Sequence, residues 1–88
     1  MTKYEYAGEM QELCFKVSQA CKVLGETGLY DFYYAASEGF AVIRDEYSVE
    51  EAQQLVTKDE EEQLESTAAY VKEVQKQAAE KMDLEVTA

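Results

Sequence analysis

Nine carboxylates crowd the stretch from Asp45 to Glu65: Asp45, Glu46, Glu50, Glu51, Asp59, Glu60, Glu61, Glu62 and Glu65, answered by a single base, Lys58. Such side chains can pass protons between carboxyls of unequal pKa, coordinate a cation, or present fixed negative charge. Proton transfer needs a pocket that raises one carboxyl above its neighbour, and no pattern here signals one. Calcium binding needs the D-x-[DN]-x-[DN]-G loop, which is absent, and a di-iron bundle needs Glu-x-x-His pairs in a chain that has no histidine. The lack of histidine also removes the usual base for a cysteine nucleophile and argues against structural zinc. Cys14 and Cys21 lie seven apart on a helical stripe, roughly 10 Å between Cα atoms, so they cannot bridge each other and read as small buried hydrophobes. Neither catalysis nor a metal or other cofactor is therefore expected.

Fixed charge remains. Residues 45–65 carry a net −8 of the chain's −11, whereas residues 1–44 hold six acids and four bases. Helix chemistry accounts for part of the block, because acids in a first turn complement the helix dipole. That covers Glu50, Glu51 and Asp59 to Glu62 but not Asp45, Glu46 or Glu65. Carboxylates one turn apart, such as Asp59 with Glu62 and Glu62 with Glu65, stand about 5–6 Å apart at Cβ, near the ~7 Å scale of successive phosphates. A row of them fits a groove of Lys and Arg built to hold nucleic acid. Tyr33, Tyr47 and Tyr70 are the aromatic anchors beside it, since interfaces gain most from aromatics flanked by complementary charge.

The elements that must position these groups follow from periodicity. Met10, Leu13, Cys14, Val17, Ala20, Cys21 and Leu24 recur at steps of three and four and predict an N-terminal helix from about Glu5, stopped by Gly25 or Gly28. Its polar face includes Glu9, Glu12 and Lys16 and reads as ordinary and solvated. Leu29 to Asp45 reads as a two-stranded antiparallel β-hairpin, with Tyr30, Phe32, Tyr34 and Ala36 on one face and Ser37-Glu38-Gly39 as the loop. Neither strand has a polar face, so apolar area is left over. Ser48 to Glu51 is a capping box for a short helix, and Asp59 to Glu62 offers a second cap. A long helix then runs to about Met82 on Leu64, Ala68, Val71, Val74 or Gln75, Ala78 and Met82, with Asp83 to Ala88 as a disordered tail. The fold class expected is α+β, one domain over residues 1–88.

The chain has 47% apolar residues, no proline and seven tyrosines, as a folded protein does. Its negative field repels nucleic acid and anionic membranes, and neither a spanning segment nor a signal peptide is evident, so direct nucleic-acid binding and membrane insertion are not expected and a cytoplasmic location is. In size and charge, though by no motif, the chain resembles nuclease immunity proteins, phage-encoded DNA mimics and some anti-CRISPR inhibitors. The resemblance implies an inhibitor that docks on a basic, nucleic-acid-handling protein, and the charge block places its contacts at Asp45, Glu46, Glu50, Glu51, Asp59, Glu61, Glu62 and Glu65 with the three tyrosines. The rival expectation is an assembly protein, a homodimer for example, self-associating through the hairpin edge and the alanine-rich helix.

Overall fold

Thr2 starts the fold with a reciprocal cap. Its hydroxyl accepts the Glu5 N–H at 3.2 Å while Glu5 Oε1 accepts the Thr2 N–H at 3.1 Å, so two donors orphaned at the helix start find partners. In this computed structural model, which describes residues 1–87 and side chains as far as residue 84, helix α1 spans Lys3–Leu24. Gly25 ends it at φ 77°, its N–H bonding Lys22 O and that of Glu26 bonding Cys21 O. This left-handed turn is one that glycine enters without Cβ strain. Helix α2 is Thr27–Glu46, α3 is the short Val49–Gln53, and α4 is Lys58–Thr87.

The β-hairpin is absent. Helices cover 88% of the chain, and the described residues contain no strand, only an isolated bridge between Thr2 and Leu55. Leu29 to Asp45 is one continuous helix, with Gly39 at ordinary helical φ in its middle. The reason is visible in which residues turn inward. Tyr30, Tyr33, Ser37, Phe40 and Arg44, spaced 3, 4, 3, 4, are sheltered by α1 and α4, while Phe32, which alternation would place beside Tyr30 and Tyr34, is 65% exposed. The α+β expectation is thus corrected to an all-helical architecture. The chain's end is corrected likewise: helix continues through the presumed tail to Thr87, while Ala88 lies outside the described residues.

Helix α1 is the central element, packed against both long partners. It runs parallel to α4 in constant register, since Lys3 meets Glu60, Tyr6 meets Gln63 and Val23 O accepts from Lys81, offsets of 57 to 58 residues. It runs antiparallel to α2, where Ser37 Oγ donates to Gln11 O at 3.1 Å. The result is an up-down-up three-helix bundle, elongated at 54 × 21 × 16 Å.

Its core is the predicted α1 stripe pressed on α4: Val17, Ala20 and Cys21 against Val71, Val74 and Ala78, roofed by Tyr30 and Tyr33 from α2. A second cluster of Tyr6, Met10 and Cys14 meets Phe40, Val56 and Leu64. Both cysteines are buried and free, their thiol pKa raised by that burial, as small hydrophobes require. Of the predicted α4 stripe, Gln75 and Met82 instead face outward.

Candidate protein-docking surface

The connection between α2 and α4 gathers the acidic block at one end of the bundle. Lys3 N–H donates to Gln54 O at 2.7 Å and Val56 N–H to Met1 O at 3.1 Å. These bonds pin the α3 segment across the start of α1, beside the end of α2 and the start of α4. Ser48 caps α3 by accepting the Glu51 N–H at 3.2 Å, and Glu50 and Glu51 occupy its first turn. The cap of α4 sits two residues earlier than Asp59. Thr57 Oγ1 accepts the Glu60 N–H at 3.2 Å and Glu60 Oε1 accepts the Thr57 N–H at 2.9 Å.

Within the block from Asp45 to Glu65, two carboxylates have cationic neighbours among the described residues. Glu60 lies 3.4 Å from Lys3 Nζ, and Asp45 lies 3.6 Å from Arg44 Nε, a contact too long to be a hydrogen bond. Glu46, Glu50, Glu51, Asp59, Glu61, Glu62 and Glu65 are exposed, and no Lys or Arg lies within 4.0 Å of them among the described residues. Asp45 and Glu46 stand at the negative end of α2, where the helix dipole opposes them. Along α4, steps of three turn about 60° each, so Asp59, Glu62 and Glu65 fan across the outer half of the helix and do not form one file.

Glu65 turns towards α1, and Glu61, one turn earlier, shares that side. There the parallel register sets them against carboxylates that a contiguous reading of residues 45–65 leaves out. Glu9, Glu12 and Leu13 of α1 face Leu64, Glu65 and Ala68 of α4 across a groove of about 360 Å³. Its floor is apolar and its rims are acidic. Glu5, Glu9 and Glu12 form the outward ridge of α1, and Glu12 makes no ion pair with Lys16, four residues on, among the described residues. No spacing within either helix reveals this juxtaposition; only the pairing of α1 with α4 creates it.

Charge is therefore segregated along the bundle. The half built from residues 1–12 and 38–65 holds thirteen acids and three bases, a net of −10, whereas the described residues 13–37 and 66–84 hold five of each.

Two of the proposed aromatic anchors pack against each other while staying partly exposed. Tyr33 and Tyr70 lie 5.8 Å apart between ring centroids, linking α2 to α4, and burial raises both phenol pKa values. Tyr47 is half-buried in the turn after α2. Among the described residues no group of three or more His, Cys, Asp or Glu is arranged to hold a metal ion, and no helix is long and apolar enough to cross a membrane.

Glu60 carries the pH-sensitive contact. The Thr57 backbone N–H, then the Thr57 hydroxyl and Lys3, hold its carboxyl below the ordinary value. A depressed folded-state pKa contributes stability that is present above the unfolded pKa and lost as pH falls through the folded one. Glu60→Gln keeps the acceptor but removes the charge. It is expected to cost about 1 kcal/mol in urea unfolding at pH 7, with the difference from the parent vanishing below the carboxylate range.

Comparison with known proteins gives no relative: no family model, no curated protein and no solved structure matches the chain.

Proposed function

We propose that this chain is a protein-binding inhibitor whose acidic half docks on a basic, nucleic-acid-handling protein and excludes nucleic acid from it. One observation carries the reading: the groove between α1 and α4 has acidic rims formed by Glu9, Glu12 and Glu65, no counter-ion from the chain's own bases, and a floor of Leu13, Leu64 and Ala68. Helix capping explains acids in first turns, but it gives no reason for Glu9, Glu12 and Glu65 to face one another. Like charges held together cost folding stability, and a cationic side chain from a partner relieves that cost. Lys and Arg suit such a groove, since their methylene stems lie on apolar surface while their heads reach carboxylates. The far-reaching field of the −10 half adds rate, because it steers basic partners and repels the nucleic acid they would otherwise hold.

The test is competition. Titrated into complexes of basic nucleic-acid-binding proteins with labelled duplex, the chain displaces the duplex from its target. The Glu61→Lys, Glu62→Lys, Glu65→Lys triple variant does not. A target that binds the triple variant as tightly as the parent sinks the reading.

A further inference from the structure

Helix α2 is apolar on two sides, and the bundle covers one. Its outer side presents Phe32, Ala35, Gly39 and Val42, spaced 3, 4, 3, with Leu29 and Ile43 alongside; Phe32 and Val42 are 65% and 53% exposed. We propose that the outer face of α2 is covered by the same face of a second copy, the two α2 helices running antiparallel about a dyad near Ser37.

Three observations select a second copy. The stripe is symmetric in size, large–small–small–large, as a two-fold interface requires. Ala35 then meets Gly39 of the other copy, letting the backbones approach, while Phe32 and Val42 close the two ends. No atom lies within 4 Å of a Cβ added at Gly39, so the monomer itself gives that glycine no packing role. Charge fixes the direction. A parallel pair would set two −10 halves side by side, whereas the antiparallel pair lays each against the half whose five acids are balanced by five bases, which removes that repulsion. Surface supplies the third observation. The chain exposes 5978 Å² at 10.0 kDa, about 780 Å² more than the ~5,200 Å² usual for that mass. That excess is close to the ~800 Å² per partner of a standard interface. The proposal is independent of the docking groove, which lies between α1 and α4.

Sedimentation equilibrium on the full chain between 5 and 500 µM tests it. The expected mass rises from 10.0 kDa towards twice that value, and Gly39→Glu holds the mass at the monomer value, weakening association at least tenfold. Since the variant has open space for its side chain, its far-UV circular dichroism should match the parent. A spin label at Gln54→Cys should report inter-copy distances beyond about 25 Å, from the rise of the helix away from the dyad. A parent that stays monomeric at 500 µM, a Gly39→Glu chain that dimerises as tightly, or label distances under about 20 Å would each overturn the proposal.

Discussion

Val17→Asp is expected to unfold this protein at neutral pH, while Phe32→Asp, an identical charge placed on an equally apolar stretch, leaves it folded. Val17 is fully buried among Ala20, Cys21, Val71, Val74 and Ala78, and no base belongs to that cluster. An unpaired carboxylate there costs more than about 4 kcal/mol, against a total stability of about 4–13 kcal/mol for a chain of this length. Phe32 points outward from α2 of the monomer, so its replacement costs the monomeric fold only about 1 kcal/mol, from a lost ring contact with Tyr33 and lower helix propensity. Far-UV circular dichroism at 222 nm reads both outcomes. The pH dependence of the buried variant has a definite sign. Burial raises the pKa of a carboxyl above its unfolded value, so its destabilisation is greatest at neutral pH and shrinks as the carboxyl protonates in acid. The pair of variants also separates the two readings of residues 29–45. In a hairpin, Phe32 would share the covered face with Tyr30 and Tyr34, and an aspartate there would be as damaging as one at position 17.

That contrast explains what could be read from the residues alone. Helix α1 was legible because its stripe is bordered by charged residues: Glu9, Glu12, Lys16 and Lys22 mark where water begins, and the three-four spacing stands out against them. The start of α3 and a break before α4 were legible for a related reason, since Ser48 followed three residues on by Glu51 has the spacing of a helix cap. Helix α2 has no such border. With apolar residues on two sides, both a period of two and a period of 3.6 find matches among its tyrosines, phenylalanines and alanines, and aromatic content tilts the choice towards strand. Gly39, read as the loop glycine, is an exposed helical residue. The useful signal was the inward series Tyr30, Tyr33, Ser37, Phe40 and Arg44, which no strand alternation produces. The apolar residues that left both strands of the expected hairpin without a polar face are those that give α2 an exposed outer side at Phe32, Val42 and Ile43.

The candidate surface was legible to a lesser degree. A contiguous run of acids points to charge but not to direction, and the run from Asp45 to Glu65 is divided by the fold among three elements. Asp45 falls beside Arg44, and Asp59, Glu62 and Glu65 turn progressively round α4. Tyr33 and Tyr70 also serve the contact between α2 and α4, because an aromatic that looks available in one dimension is equally able to fill the gap between helices.

Reversing Glu9 and Glu12 together is therefore expected to damage partner binding as severely as reversing Glu61 and Glu65. The two pairs lie about fifty residues apart in sequence, and Glu65 of the second lines the same groove as Glu9 and Glu12. Replacing an attraction by a repulsion at each position is worth about 1–1.5 kcal/mol at a partly desolvated rim, so either double variant loses about 30- to 150-fold in affinity. Glu50→Lys with Glu51→Lys changes total charge by the same amount on α3, outside the groove, and should cost no more than about fivefold, as long-range charge alone does. Neither Glu9→Lys nor Glu12→Lys should lower the melting temperature, because both side chains are exposed and each reversal relieves repulsion along the α1 ridge. Isothermal titration of the three double variants against one target, at 50 and 300 mM salt, ranks these effects. Equal losses for all three would mean that the partner senses only net charge. A selective loss for the α1 and α4 pairs, larger at low salt, would mean that it reads the groove that the parallel pairing of α1 with α4 builds.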